Sequence, residues 1–508
     1  MKKIFISFLI SFFTVTSFSQ NIFQEKIEGL GDYYPPCMTK SYDGFGIGGT
    51  NYNNFILFKI DTTGNVIWGS TYGGQSSYCS GIISCNDSGF VLVGSSYFSD
   101  GFGSADGYVV KTDRNGNVIW SKLFGKLLED NCSGIIQTTD NGYLIIGTTK
   151  DSTCGFIDQT FILKTDPAGN IVWDKITAIN DSLLLQNAVQ TPDGGFFILA
   201  MNTGTSLYLN PIVFKMDAIG NILWCKQFEI TNFTYPHSIC SGINGSYTIV
   251  GTASAGPIDK PFLLNIDSAG NVNWCKEYNT YYNNGSAASI IGLQNGGYIF
   301  ATGADSASGC SNLIKTDSAG NIVSEKKYSS PDGNGPVGIQ DCSDRGFLII
   351  GETYMPSTGS IDGYLIKTDS LLNSCNVSPT SHSVISLSVT VTLRTISPIS
   401  GMNAMSPSTI SNFSIPFTSF ICPATNVSEI NEFDSFLIYP NPATDLINIE
   451  TDLKNYSVSV FDNMGKLILK EKSYQNKIQI NLSGFSNGLY YIQLQSADKM
   501  ISRKFIKQ

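Results

Sequence analysis

The ten residues KTDRNGNVIW at 111–120 return along this chain as KIDTTGNVIW at 59–68, KTDPAGNIVW at 164–173, KMDAIGNILW at 215–224 and NIDSAGNVNW at 265–274. KTDSAGNIVS at 315–324 keeps the line but loses the Trp. Its Asp falls at 61, 113, 166, 217, 267, 317 and 369, with spacings of 50 to 53 residues. A second line keeps step with it: YDGFGIGG at 42, DSGFVLVG at 87, DNGYLIIG at 140, DGGFFILA at 193, NGSYTIVG at 244, NGGYIFAT at 295 and DRGFLIIG at 344. Two signatures in seven copies at a constant period predict a repeat architecture. Each unit divides into four short apolar runs, and four strands per unit of roughly 50 residues is the pattern of a β-propeller blade. The runs are almost continuously apolar, as befits strands covered on both faces by neighbouring blades.

The expectation is therefore an all-β chain whose residues 20–374 form a seven-bladed β-propeller with four strands per blade. NIFQEKIEG at 21–29 aligns with the run that WSKLFGK holds at 120–126, while the last unit, GYLIKTDSLLNSC, stops one strand short. The N-terminal segment is expected to complete the last blade and so leave no open edge in the ring. Eight blades remain open as an alternative if residues 381–422 add strands.

D-x-x-G-N between two apolar runs reads as a hairpin turn. The Asp side chain accepts local backbone N–H groups and the Gly takes a left-handed conformation. This assigns a structural role to Asp61, Gly64, Asp113, Gly116, Asp166, Gly169, Asp217, Gly220, Asp267, Gly270, Asp317 and Gly320. All five tryptophans, Trp68, Trp120, Trp173, Trp224 and Trp274, occupy one repeat position, which predicts packing between blades. A calcium loop needs several oxygen donors in alternation, and each turn supplies one carboxylate. No metal and no cofactor are expected.

The repeat D-x-x-G-N-x-x-W resembles the tryptophan-docking repeat of quinoprotein-type propellers over most of residues 42–370. The resemblance implies how blades pack, not that a quinone is bound. The sialidase Asp-box is similar, but here the Gly comes one position late, and residues 20–433 hold only Arg114, Arg345 and Arg394 to clamp a carboxylate. Neither histidine, His237 nor His382, sits near a nucleophile elbow, and HExxH and P-loop patterns are absent.

The chain opens on MKKIFISFLISFFTVTSFSQ, with two lysines before an apolar run and small residues at Ser17 and Ser19. That reads as a secretory signal peptide over residues 1–19. No other window is apolar enough for a membrane span. Twelve cysteines in an exported chain can pair, and Cys375 with Cys422 is the pair to test because the two bracket a linker. The net charge is −10; the segment from Asp434 onward carries +2, which leaves −12 on the rest. A surface of that sign repels phosphate backbones, so nucleic acid is excluded as a partner.

Residues 375–432 are rich in Ser, Thr and Pro with few charges and read as an extended linker with some β content. The last segment, 433–508, resembles the type A C-terminal sorting domain of the Bacteroidota type IX secretion system. The matching residues are Tyr439, Pro440, Asn441 and Pro442, then Asp462, Gly465 and Lys466, then Gly488 and Tyr490, and finally Lys504, Phe505, Ile506 and Lys507. The resemblance implies a small immunoglobulin-like β-sandwich, recognition by the outer-membrane translocon, and removal by a sortase-like peptidase. It further implies delivery to the cell surface or the medium.

For the propeller, the expected function is binding or adhesion, with a glycan, a polymer or an envelope protein as ligand. Loops such as YFSDGFGSADG, TYYNNGSA and TYMPSTGSIDG carry side chains suited to sugars. A propeller-scaffold glycoside hydrolase or lyase is one alternative, recognised by paired carboxylates in one pocket. A structural spacer without a ligand site is the other.

Overall fold

The computed structural model describes residues 22–508 except 28–35, 52–53, 74–75, 100, 151–157, 179–182, 203–208, 231–232, 255–258, 280–286, 305–309, 330–334, 355–360, 375–376, 380–381, 395–396, 400–401, 407–419, 423–436, 452–454, 463–466 and 496–499. The signal peptide read at 1–19 lies outside them. The chain divides into one compact unit up to Thr425 and a second from Asn426.

The first unit is a ring of seven antiparallel sheets. Blade 1 runs Cys37–Ser41, Gly44–Asn51, Asn54–Ile60 and Val66–Tyr72, and blades 2 to 6 repeat this order without a crossover. Blade 7 takes Gly335–Asp341, Phe347–Tyr354 and Ile361–Thr368 from its own repeat. Its fourth strand is Phe23–Ile27, in register from Phe23↔Lys367 to Ile27↔Gly363. The first strand of each blade touches the first strand of the next, and Cys37–Ser41 of blade 1 meets Gly335–Asp341 of blade 7, which closes the ring. Position in the blade explains the sequence pattern. Third strands such as Asp106–Thr112 are buried at every residue, while outer strands such as Val118–Gly125 alternate.

The segment read as a linker does more than connect. Six short strands between Val377 and Cys422 add a fifth strand to the outer edges of six blades, running backwards around the ring. Val377–Pro379 pairs with blade 6, Ser383–Ser386 with blade 5, Thr390–Leu393 with blade 4, Ser397–Ile399 with blade 3 and Asn403–Met405 with blade 2. Phe420–Cys422 then pairs with Phe23–Ile27 at the edge of blade 7. None of these strands founds an eighth blade among the described residues. Strands of three or four residues on an outer edge bury little; Thr390–Leu393 is exposed throughout. SVISLSVTVTL at 383–393 alternates as a strand would, but the other pieces are too short to show a period, which is why the segment reads as linker with some β content.

The second unit is a two-sheet sandwich. One sheet holds Leu437–Tyr439, Leu446–Glu450 and Lys477–Asn481; the other holds Leu467–Ser473, Tyr456–Asp462, Gly488–Gln495 and Met500–Lys507. Its core joins Ile447 and Ile449 of the first sheet to Val458, Val460, Ile492, Leu494 and Phe505 of the second.

Candidate functional site

Because the strands alternate in direction, the connections fall on two faces. One face carries the turns between first and second strands and those between third and fourth strands. Nearly all of these are five residues long. The other carries the second-to-third connections and the crossings between blades, which vary from two to nine residues.

The turn face holds the repeat aspartates, one per blade and each bonded within its own turn. In Asp113, Asp166, Asp217, Asp267 and Asp317, Oδ1 accepts the backbone N–H two residues on at 2.8–3.1 Å and the one four residues on at 2.8–2.9 Å. The Asn side chain of the turn donates to Oδ2 at 2.8–2.9 Å. Asp61 is held the same way. Burial works against the charge, but these donors outweigh it and keep all six carboxyls below the ordinary range.

Each tryptophan reaches the turn of the following blade. A β-carbon on Gly116 would lie 2.7 Å from the Trp68 ring, on Gly169 3.0 Å from Trp120, on Gly220 2.9 Å from Trp173, on Gly270 2.6 Å from Trp224 and on Gly320 2.8 Å from Trp274. The indoles of Trp120 and Trp173 donate to the carbonyls of Pro167 and Ala218 in those turns. Where the ring closes, Phe23 takes the place of the Trp, 2.9 Å from the β-carbon position of Gly64.

Sequence reasoning missed a second repeated device. The Lys two residues before the turn Asp is buried and pairs with the Asp of the D-x-G line. Lys111 meets Asp87 at 2.8 Å, Lys164 meets Asp140 at 2.8 Å, Lys215 meets Asp193 at 2.8 Å and Lys367 meets Asp344 at 2.7 Å, with Lys59 and Asp43 alike. In sequence the pairing is only partly legible: in blade 5 both positions are Asn, at 265 and 244, but blade 6 keeps Lys315 opposite Asn295.

The remaining expected residues are scattered. His237 Nε2 lies 3.2 Å from Thr252 Oγ1, and burial pushes the imidazole down to about 4. His382 bonds Glu325. Cys375 and the Cys422 side chain lie outside the described residues. Cys37 and Cys79 face each other across blades 1 and 2 as thiols, 3.9 Å between sulfurs. Among the described residues no three His, Cys, Asp or Glu side chains gather as a metal cluster.

On the variable face, a cavity of about 200 Å³ opens between blades 2 and 3, lined in part by Tyr97, Glu129, Asp130, Asn131, Thr148 and Lys150. Glu129 and Lys150 form an ion pair at its rim. Behind it two acids converge. Asp106 begins the third strand of blade 2, Asp130 the first strand of blade 3, and they are 1% and 2% exposed. Asp106 Oδ1 and Asp130 Oδ2 lie 2.4 and 2.7 Å from the same point, the position a β-carbon on Gly125 would take. Burial, reinforced by the Asp106 charge, pushes Asp130 up to about 6; burial also raises Asp106.

In the second unit the two ends of the sorting motif meet. Asn441 Oδ1 accepts the Ile506 N–H at 2.9 Å, the Ala443 N–H bonds Ile506 O at 2.8 Å, and Gln508 N–H bonds Ala443 O at 2.8 Å. Tyr490 stacks on Phe505, ring centres 5.5 Å apart, and donates to Ser486 O. Tyr439 donates to Glu450 at 2.8 Å beneath the Lys477 ammonium. Asp462 pairs in register with Tyr490. Gly465 and Lys466 lie outside the described residues.

Among solved structures, the chain is similar to the subtype N10 neuraminidase-like protein of a bat influenza A virus (12% identity, 56% of this chain and 92% of that one, TM-score 0.36). It is also similar to a protein of unknown function from Dyadobacter fermentans (10% identity, 68% and 98%, TM-score 0.38). A third is PorZ, a surface component of the type IX secretion system of Porphyromonas gingivalis (9% identity, 96% and 99%, TM-score 0.17). No curated protein sequence matches the chain. Residues 437–508 match the family described as the secretion system C-terminal sorting domain. Among the described residues no helix is long and apolar enough to cross a membrane. The chain carries a type IX secretion sorting domain and is addressed to the cell surface or the extracellular space.

Proposed function

We propose that the propeller is the working part of this exported protein and binds a polar ligand, a glycan chain above all, on its variable face. The turn aspartates and inter-blade tryptophans serve as its frame. The segregation of connections carries this reading: one face repeats a single turn, the other varies blade by blade in length and sequence, as recognition loops on a rigid scaffold do. The cavity on that face offers an exposed tyrosine ring beside amide, hydroxyl and ionic groups, the mix that stacks on and hydrogen-bonds a sugar. Hydrolysis finds less support because, of the two carboxylates that line the cavity, Glu129 is held by Lys150 and only Asp130 is left.

The test is a glycan and polysaccharide array probed with the purified chain. A defined sugar should be retained, and Tyr97→Ala combined with Asn131→Ala should weaken it at least ~10-fold, the scale of losing a stacking ring and a hydrogen bond. Retention unchanged by those substitutions would overturn the assignment of the site. Failure on every glycan would overturn the ligand class and direct the search to envelope proteins.

A further inference from the structure

We propose that the interface between blades 2 and 3 binds a divalent cation of the calcium type, held by Asp106, Asp130 and Thr149. This goes beyond the glycan reading and does not depend on it.

Each carboxylate has one oxygen committed and one open. Asp106 Oδ2 accepts the Phe102 N–H at 3.0 Å and Asp130 Oδ2 accepts the Lys126 N–H at 2.7 Å. Asp106 Oδ1 and Asp130 Oδ1 are buried without any protein hydrogen-bond partner. Among the described residues neither acid has an ion-pair partner; the Lys126 ammonium acts on Asp130 only through space, and weakly. This sets the pair apart from the other buried acid in a comparable position, Asp362, which faces Lys26 at 3.0 Å. Two like charges turned toward one another in a desolvated spot repel unless something positive lies between them.

Thr149 supplies an independent pointer. It is register partner to Asp130 across the first two strands of blade 3, so both side chains leave the sheet on the same face. Its side chain is fully buried, and its hydroxyl leans on the Asp130 carboxylate without a well-formed hydrogen bond. The hydroxyl lies near enough to favour the Asp130 charge. Two carboxylate oxygens and a hydroxyl, with no nitrogen or sulfur, are hard donors that suit calcium over zinc or copper. The close approach depends on Gly125, since any β-carbon there would strike both carboxylates. With only two acids the affinity belongs to the weak class of extracellular calcium modules, Kd on the order of 10⁻⁴–10⁻³ M.

The experiment is thermal unfolding of the purified chain in EDTA, in 10 mM calcium and in 10 mM magnesium, with equilibrium dialysis against radioactive calcium for stoichiometry. Calcium should raise the midpoint by ~3 °C or more and bind one ion per chain, with magnesium doing less. Asp106→Asn and Asp130→Asn should each abolish the calcium-dependent rise. In EDTA each variant should unfold no lower than the parent chain, because neutralising one acid removes the repulsion. A parent chain indifferent to calcium overturns the proposal, and so does a calcium response that survives in both variants. Should a variant misfold, dialysis of the parent chain decides alone: no bound calcium at 1 mM free ion overturns it.

Discussion

Glu25 shows what one residue costs where the ring closes. It sits on the closing strand, 6% exposed, with Oε1 2.9 Å from the β-carbon position of Gly64 and the turn carboxylate of Asp61 nearby. Burial first, then the Asp61 charge, pushes its carboxyl from 4.5 up to about 7. An acid whose folded-state pKa exceeds its unfolded value weakens the fold as pH rises between the two, here from about 4.5 to about 7, and contributes no further slope outside that window. Glu25→Gln should therefore stabilise the fold at pH 7.5, by up to about 3 kcal/mol of unfolding free energy, and leave its stability unchanged near pH 4. Equal effects at both pH values would show that the gain comes from packing instead. The Trp-on-Gly contact was legible at this scale because one residue type held one position in five repeats. Its exception was not. Where Trp gives way to Ser324, the next turn replaces Gly with Leu372, fully buried at φ 65° among residues of blades 6 and 7. A large side chain has moved from one partner to the other, and only the assembled interface relates the two positions.

At the scale of the blade, the buried Lys and its Asp tie the second hairpin to the first. Lys164 is 6% exposed, meets Asp140 at 2.8 Å and also donates to Thr165 O at 2.8 Å. Blade 5 has Asn265 in the Lys position, and its amide donates to Thr248 Oγ1 at 2.8 Å and Tyr298 Oη at 3.1 Å. The same fold thus accepts the ion pair, two asparagines, or, in blade 6, Lys315 opposite Asn295. Asp140→Asn alone gives the blade 6 arrangement, with Lys164 still donating to Thr165 O, and should cost about 1 kcal/mol because the lost carboxylate is the solvent-facing partner. Asp140→Asn with Lys164→Asn, the blade 5 arrangement, should cost less than that single change. A double-mutant cycle by urea unfolding checks this; a coupling energy below ~0.5 kcal/mol would mean that the pair is decorative. The repeat of both residues was visible in sequence, but a Lys within an apolar run reads as a strand end until burial is known. The acid pair behind the cavity was less visible still: Asp106 and Asp130 belong to different repeats, and only Asp106 has a periodic counterpart, Asp362.

At the scale of the molecule, both ends of the propeller unit converge on blade 7. Its fourth strand comes from Phe23–Ile27 and its fifth from Phe420–Cys422, with the belt between Val377 and Met405 laid over five other blades on the way. Unpaired outer edges are templates for association, and the belt covers six of the seven. The sequence announces the ring, because its strands are buried on both faces and therefore periodic. The belt escapes, since its strands are three or four residues long and only single side chains, such as Val384, Leu387 and Met402, reach the cores beneath. The dependence can be measured by two truncations. A chain ending at Thr425 removes the second compact unit and should leave the propeller's unfolding midpoint within ~1 °C of the parent, since the two units have separate cores. A chain ending at Ser374 removes the belt as well, and should lower the midpoint by ~5 °C or more and run as oligomers in size-exclusion chromatography. A monomer of undiminished stability after the second truncation would make the belt a passenger. The opposite result would make it the last structural part of the propeller to be laid down, directly ahead of the domain that addresses the chain for export.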